Sequence, residues 1–127
     1  LASLEGIPHW ARSNGIASFD RQHVLMHAQR IGLGEDVIEE QEVACITLSA
    51  LLEMGHETPD LLKVDTEGYD YEVLSMLDLE QHRPAIIHFE HLHILPDHYE
   101  SMIVRLHDAG YLSLAYKINT TANVKRD

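Results

Sequence analysis

Short apolar runs alternate with stretches of helical spacing along the second half of the chain. Four of these runs are typical of buried strands: residues 43–46, 60–65, 84–90 and 111–117. The stretches between them predict three helices, one capped by Thr47, one following Gly68, and one capped by Asp97 with Glu100 completing a capping box. The resulting order, β-α-β-α-β-α-β, predicts an α/β fold with a mostly parallel sheet, right-handed crossovers and helices on both faces.

The N-terminal third of the chain is less regular. It begins with a predicted loop in which Trp10 is the expected anchor. A helix is then predicted over residues 21–31, with Asp20 as its N-cap and Gly32 at its C-terminal end. The acidic stretch 34–42 follows, and its composition is typical of a solvated connector.

Ionisable side chains interrupt the second and third predicted strands, which should otherwise be apolar. Those at or after the strand ends are Asp65, Glu67, Glu90, His91 and His93. Ligands of open α/β sheets bind outside the carboxyl ends of the strands, so this edge is the predicted site. Lys63 lies within a strand, where a lone charge is costly, and we expect a structural ion pair with Glu90 on the neighbouring strand.

The ten histidines raise the question of a metal site. Along an extended strand His91 and His93 share one face whereas His88 points to the other, which divides the set. His23 and His27 have i, i+4 spacing on the predicted helix, but they supply only two ligands and lack the glutamate of a His-Glu-x-x-His motif. We therefore expect no metal ion, and histidines that lie on the surface or line a substrate.

The clearest motif lies within residues 59–74, around the run Lys63-Val64-Asp65-Thr66-Glu67-Gly68. This segment resembles the signature of FkbM-type methyltransferases, and the later strand 84–90, ending in Glu, and the pair Gly110-Tyr111 are also similar to the family. The resemblance implies a Rossmann-like fold, specifically the C-terminal portion of a class I methyltransferase fold. It also implies transfer of a methyl group from S-adenosylmethionine to a hydroxyl of a small molecule or sugar.

The resemblance also implies roles for the residues of the predicted site. Asp65 and Glu67 are the catalytic candidates, because a carboxylate within hydrogen-bond reach can accept the proton of an alcohol. Their structural alternative is that Asp65 caps the following helix and Glu67 stabilises its N-terminus. Thr47, Asp65 and Gly68 are implied in cofactor binding. The residues expected to line the substrate are Glu90, His91 and His93.

One part of the methyltransferase pattern is missing from this sequence. The family binds its cofactor mainly through a glycine-rich turn after the first strand, whereas the only Gly-x-Gly, at residues 32–34, follows a predicted helix. We therefore expect residues 1–127 to be the C-terminal part of one methyltransferase domain, with a lead-in over 1–42 and the regular portion over 43–127. The N-terminal cofactor-binding half is expected to be absent, and the isolated chain to be inactive. The chain also opens at Leu1 rather than at Met.

Composition argues against two classes of binding partner, nucleic acids and membranes. Nine Lys and Arg against 21 Asp and Glu leave a net charge of −12, which argues against a nucleic-acid partner because phosphate contacts require clustered cations. No apolar run reaches the ~18 residues of a membrane span, so no membrane partner is expected. Cys45 is the single cysteine, expected as a small core residue of the strand 43–46 and typical of a reducing, cytoplasmic setting.

Two classes of function remain open on the sequence. The first is an S-adenosylmethionine-dependent O-methyltransferase with a small-molecule or sugar acceptor. The alternative is a non-catalytic acidic α/β module that responds to metals through its histidines. In either case an incomplete sheet would have an unpaired edge and an uncovered apolar face, so we expect a homo-oligomer.

Overall fold

The computed structural model of the chain describes residues 17–55 and 58–124. The chain divides into two units, Leu1–Val43 and Ala44–Asp127. The loop predicted around Trp10 lies outside the described residues.

Helix α1, Arg21–Arg30, is the main described element of the first unit. Its predicted cap is confirmed, because the Asp20 carboxylate accepts a hydrogen bond from the backbone N–H of Gln22 at 2.8 Å. Gly32 follows the helix with a φ of 77°, the left-handed conformation that ends helices. The Gly-x-Gly sequence therefore has a helix-ending role here.

The acidic stretch after α1 is tied back to that helix. Arg21 contacts Glu40 at 3.0 Å and Glu35 at 3.4 Å, and Glu35–Val37 forms one 3₁₀ turn. Hydrogen bonds to Glu40 and then Glu35 raise the pKa of the Arg21 guanidinium. The stretch is solvent-exposed, as predicted, but part of it is an anchored surface turn.

The second unit contains three helices and four strands. In chain order they are α2 (Leu48–Met54), β1 (Leu61–Val64), α3 (Asp70–Ser75), β2 (Ile86–Glu90), α4 (Pro96–Asp108), β3 (Tyr111–Tyr116) and β4 (Asn119–Val124). Six of these seven elements confirm predicted ones; β4 was not predicted. The strand predicted at 43–46 is wrong, because these residues form no strand and all four, Cys45 included, are exposed. A short apolar run outside a sheet gains no ladder hydrogen bonds and no burial.

The strands form a mixed sheet in the order β1-β2-β4-β3. Only β1 and β2 pair in parallel, whereas β4 is antiparallel to both β2 and β3. The prediction of a mostly parallel sheet is therefore wrong. The strands β1, β2 and β3 do share one direction, but a tight turn at Lys117, with a φ of 55°, sends β4 back between β2 and β3.

One face of the sheet carries the core. The buried side chains that the strands contribute to this inner face include Val64, Ile87, Phe89, Tyr111, Thr120 and Ala122. Leucines of α2 and α3 and the apolar stripe of α4 complete the same core cluster. Burial along β1 and β2 alternates accordingly, rather than covering both faces as a continuous apolar run would predict.

The outer face of the sheet is exposed in the described part of the chain. Leu112 is 58% exposed, and Leu114 and Tyr116 are each 71% exposed. Lys63 and His88 lie on this same face, next to each other in the strand register. Within the second unit the prediction of helices on both faces is thus wrong, because its described helices contribute to the core on the inner face.

The helix α4 begins two residues earlier than predicted. Pro96 occupies its first turn and Leu95 is the N-cap, with no side-chain hydrogen bond, so the predicted cap at Asp97 and the capping box with Glu100 are wrong. A proline at the first helical position loses no intrahelical hydrogen bond, which makes this start favourable. Farther along α4, the Arg105 guanidinium donates to backbone carbonyls at the end of α3 and just after it.

Within the described ranges, no helix combines the length and the apolar character needed to cross a bilayer.

Candidate active site

The loop between β1 and α3 is held in a tight, specific conformation. Glu67 has a φ of 51° and Gly68 a φ of 102°, so two consecutive residues have left-handed backbone. Gly68 is favoured there because it has no Cβ. Glu67 tolerates the left-handed region at a cost of roughly 1 kcal/mol or more.

Asp70 holds this loop. Its carboxylate Oδ2 accepts hydrogen bonds from the backbone N–H of Thr66 at 3.2 Å and from the Thr66 hydroxyl at 2.8 Å, and the side chain is only 2% exposed. Sequence reasoning did not identify this role of Asp70. The spacing of a threonine and an aspartate four residues apart across a glycine turn was the available signal.

Asp65 lies at the end of β1, where the resemblance placed a catalytic carboxylate. Its Oδ2 is 3.1 Å from Lys63 Nζ, and the two side chains are 50% and 59% exposed. Asp65 is not the cap of α3, because Tyr69 occupies that position and no side chain caps it. The Asp65 carboxylate therefore remains open to solvent and to a ligand, with one ammonium beside it.

Lys63 and Glu90 were predicted to form a structural ion pair. Lys63 is exposed on the outer face rather than enclosed within the sheet, and its contact is with Asp65, directly after its own strand. Glu90 ends β2 on the same outer face and is half-buried. The pairing of Lys63 with Glu90 stays a prediction.

His91, directly after β2, is held at the carboxyl edge by contacts of its backbone and its ring. Its backbone N–H donates to the carbonyl of Ile118 at 2.7 Å, and its ring Nδ1 lies 2.9 Å from the hydroxyl oxygen of Thr120. The same Thr120 oxygen is 2.9 Å from the hydroxyl of Tyr99 on α4. The rings of His91 and Tyr99 are 5.0 Å apart. The sequence offered no signal for Thr120, because the strand that carries it was not predicted.

The remaining predicted site residues lie on separate elements. Thr47 is the N-cap of α2, and its hydroxyl accepts a hydrogen bond from Ala50 N at 3.1 Å, so part of its bonding capacity is used locally. His93 is half-buried in the turn after β2. The roles predicted for Thr47, Gly68 and His93 stay predictions.

The structure separates His88 and His91 by sheet face, as predicted, whereas His93 lies in the turn after β2 and shares no strand face with His91. His88 Nδ1 lies 2.9 Å from the hydroxyl of Thr121, whereas His91 contacts Thr120, and these consecutive threonines of β4 point to opposite faces of the sheet. His98, on α4, instead stacks on Tyr71 with ring centroids 4.1 Å apart. His88, His91 and His98 therefore have different surroundings.

A cavity of about 700 Å³ opens at the other edge of the sheet, before the amino-terminal ends of β2 and β3. The cations in its lining are Arg83 and Arg105. Arg83 donates to the carbonyl of Ala109 at 2.6 Å, and Arg105 donates to that of Leu74 at 2.9 Å. Both guanidiniums therefore join neighbouring elements, and this cavity lacks the polar strand ends that characterise ligand sites in α/β sheets.

A mixed α/β sheet with carboxylates and a fixed histidine at the carboxyl ends of its parallel strands is consistent with a methyltransferase-like fold. The model of the methyltransferase FkbM domain family matches residues 5–113, and the chain belongs to this family. The matched span includes the Asp65–Gly68 motif and His91, whereas Thr120 lies beyond it. No curated protein and no solved structure matches the chain.

Proposed function

We propose that the protein is an S-adenosylmethionine-dependent methyltransferase that methylates a hydroxyl of a small molecule or a sugar. The observation that supports the proposal is the loop at the end of β1, within the span that the family model matches, where Asp65 precedes the left-handed residues Glu67 and Gly68 and Asp70 holds the loop in place. Conformations of this kind cost free energy and cluster at functional sites.

The charge of this edge suits the cofactor. S-adenosylmethionine supplies an activated methyl group on a cationic sulfonium, and it also carries an ammonium and hydroxyl groups. Asp65 is half-exposed, and Glu67 and Glu90 are partly accessible, so these carboxylates can accept hydrogen bonds from such groups. Asp65, Glu67 and Gly68 are therefore the residues of this chain that we propose to hold the cofactor, together with Thr47 at the start of α2.

The chain's contribution to the reaction is orientation and proton transfer. Alignment of two reactants can supply roughly 7–11 kcal/mol of a barrier, which requires a site as fixed as the loop that Asp70 anchors. The acceptor hydroxyl must also lose its proton to a base at this edge. Glu90, His91 and His93, after β2, are proposed to line the acceptor site.

We further propose a cytoplasmic setting and the absence of nucleic-acid and membrane partners. The single cysteine and the net charge of −12 support these assignments. The exposed apolar positions of the outer face support self-association into a homo-oligomer.

The test is binding and turnover by the full-length protein. Calorimetry should detect binding of S-adenosylmethionine. Incubation with a panel of hydroxylated small molecules and sugars should release S-adenosylhomocysteine in an acceptor-dependent manner. Binding of S-adenosylmethionine without turnover of any compound in the panel would show that the proposed acceptor class is wrong. Neither binding nor turnover would refute the methyltransferase proposal and favour a non-catalytic module.

A further inference from the structure

Three side chains from three elements meet through hydrogen bonds at the carboxyl edge of the sheet. Thr120 Oγ1 lies 2.9 Å from His91 Nδ1 and 2.9 Å from the Tyr99 hydroxyl, and Thr120 is fully buried at 0% exposure. His91 is only half-buried. The group is therefore a buried threonine hydroxyl, bonded to a half-buried tyrosine, that holds one edge of an imidazole ring while part of the histidine reaches solvent.

The ring of His91 has little freedom. Its backbone N–H is bonded to Ile118 at 2.7 Å, its Nδ1 is bonded to Thr120, and Tyr99 packs against it at 5.0 Å. Nε2 forms no hydrogen bond with the residues that the structure describes. The ring is thus held through one nitrogen, and the other is available to a ligand.

The number of protons shared by the three side chains determines which nitrogen of the His91 ring can act as an acceptor. A neutral imidazole carries one ring proton, and each hydroxyl has one proton and can also accept. When Nδ1–H donates to the Thr120 oxygen, the Thr120 hydroxyl can in turn donate its hydrogen bond to the Tyr99 oxygen. In this arrangement Nε2 carries no proton and keeps its lone pair. The protonated imidazolium retains the same Nδ1–H contact, so accepting a proton at Nε2 requires no rearrangement of the three residues.

We propose that His91 Nε2 is the base that accepts the proton of the acceptor hydroxyl, and that Thr120 and Tyr99 are positioning residues that hold its Nδ1–H tautomer; this rests on the proposed methyltransferase function. The hydroxyl proton moves to Nε2 and the hydroxyl oxygen forms the new O–C bond. The C–S bond of the sulfonium breaks, and its electron pair stays on sulfur. Asp65 is less suited to this task, because its carboxylate already contacts the Lys63 ammonium at 3.1 Å.

His88 provides a matched control within the same sheet. Its Nδ1 also lies 2.9 Å from a threonine hydroxyl, that of Thr121, but on the outer face and away from Tyr99. The variants His91→Gln and His88→Gln therefore remove the same side chain from two similar contacts on opposite faces. Tyr99 is the titratable side chain in contact with the His91 ring, and Glu90 and His93 flank the residue along the chain.

The first measurement is independent of activity. The ¹⁵N chemical shifts of the His91 ring in the full-length protein should show the proton on Nδ1, and Thr120→Val should abolish that preference whereas Thr120→Ser keeps it. A ring proton on Nε2 in the parent protein, or an unchanged tautomer in Thr120→Val, would overturn the positioning roles. Because this measurement needs no cofactor, it tests the positioning roles of Thr120 and Tyr99 even if methyl transfer is never observed.

The second measurement is the pH dependence of methyl transfer. His91→Gln should lower the rate by about 10²–10⁴-fold and remove the acidic limb of the profile, while His88→Gln stays close to the parent. Thr120→Val should lose up to about 10²-fold through misplacement of the ring, with recovery in Thr120→Ser. A His91→Gln rate within a few-fold of the parent would overturn the assignment. If the parent itself shows neither S-adenosylmethionine binding nor turnover, the proposed function is refuted instead.

Discussion

Asp65 is the residue for which activity and stability should separate most clearly. The variant Asp65→Asn keeps the volume of the side chain and removes its charge. The contact that the fold loses is a single ion pair with Lys63, in which both side chains are at least half exposed. Pairs of this kind contribute about 0–1 kcal/mol, and Asp65 does not cap α3, so the melting temperature should change by no more than roughly 4 °C.

The effect on activity should be larger. A hydrogen bond from a ligand to a charged group contributes about 1.5–3 kcal/mol, and each 1.4 kcal/mol is a factor of ten. If the Asp65 carboxylate binds the cofactor, Asp65→Asn should lower kcat/KM and the affinity for S-adenosylmethionine by roughly 10- to 150-fold. Glu67→Gln should behave similarly, because the amide keeps the side-chain shape at the left-handed position and removes only the charge.

The matched control for Asp65→Asn is Asp60→Asn. Asp60 is an exposed carboxylate at the other end of the same strand, and its backbone carbonyl, not its side chain, pairs with Ile86 N. Melting temperature, calorimetric affinity and turnover should be measured on the same preparations of the three proteins. If Asp65→Asn and Asp60→Asn both stay within threefold of the parent, Asp65 is only a surface partner of Lys63 and the cofactor assignment fails.

Three further outcomes follow from the structure. Burial raises the pKa of Tyr111 above 10.0, so the folded protein keeps this proton to a higher pH than the unfolded chain, and stability falls as pH rises above 10. Chemical denaturation should show a smaller loss of stability at alkaline pH in Tyr111→Phe than in the parent. The control Tyr116→Phe, where the ring is 71% exposed, should lose as much stability as the parent. Gly68→Ala should cost about 1–3 kcal/mol of unfolding free energy because of the φ of 102°, and an unchanged denaturation midpoint would contradict this strain. The parent should self-associate in sedimentation experiments and Leu114→Lys should do so less, whereas a monomeric parent would show that the outer face does not drive assembly.

Sequence reasoning succeeded where structure depends on neighbouring residues. The caps at Asp20 and Thr47 bond backbone N–H groups two and three residues away, and Gly110 has the positive φ expected at a helix end. The family motif placed Asp65 and Glu67 at the end of a strand, because a strand followed by a glycine turn is itself a local pattern. These interactions are short in sequence, so a pattern can identify them.

It failed where pairing partners are distant. The apolar run 43–46 resembles a strand, but it has no place in the sheet that the chain forms. Residues 119–124 are rich in Asn and Thr, yet their β-branched side chains and alternation of buried and partly exposed positions suit a strand between two others. Whether a run becomes a strand depends on the ladder beside it, and its own composition does not contain that information.

Two residues of the candidate site, Thr120 and Tyr99, were missed for the same reason. The sequence placed His91 after the end of a predicted strand, but its partner Thr120 is 29 residues away in sequence and Tyr99 is 21 residues from Thr120. Both contacts depend on β4 running antiparallel to β2, which brings the first residues of β4 to the carboxyl edge where β2 ends. A parallel strand in that place would have brought its last residues there instead. The antiparallel insertion that broke the predicted topology is therefore also the feature that supplies the buried hydroxyl to His91.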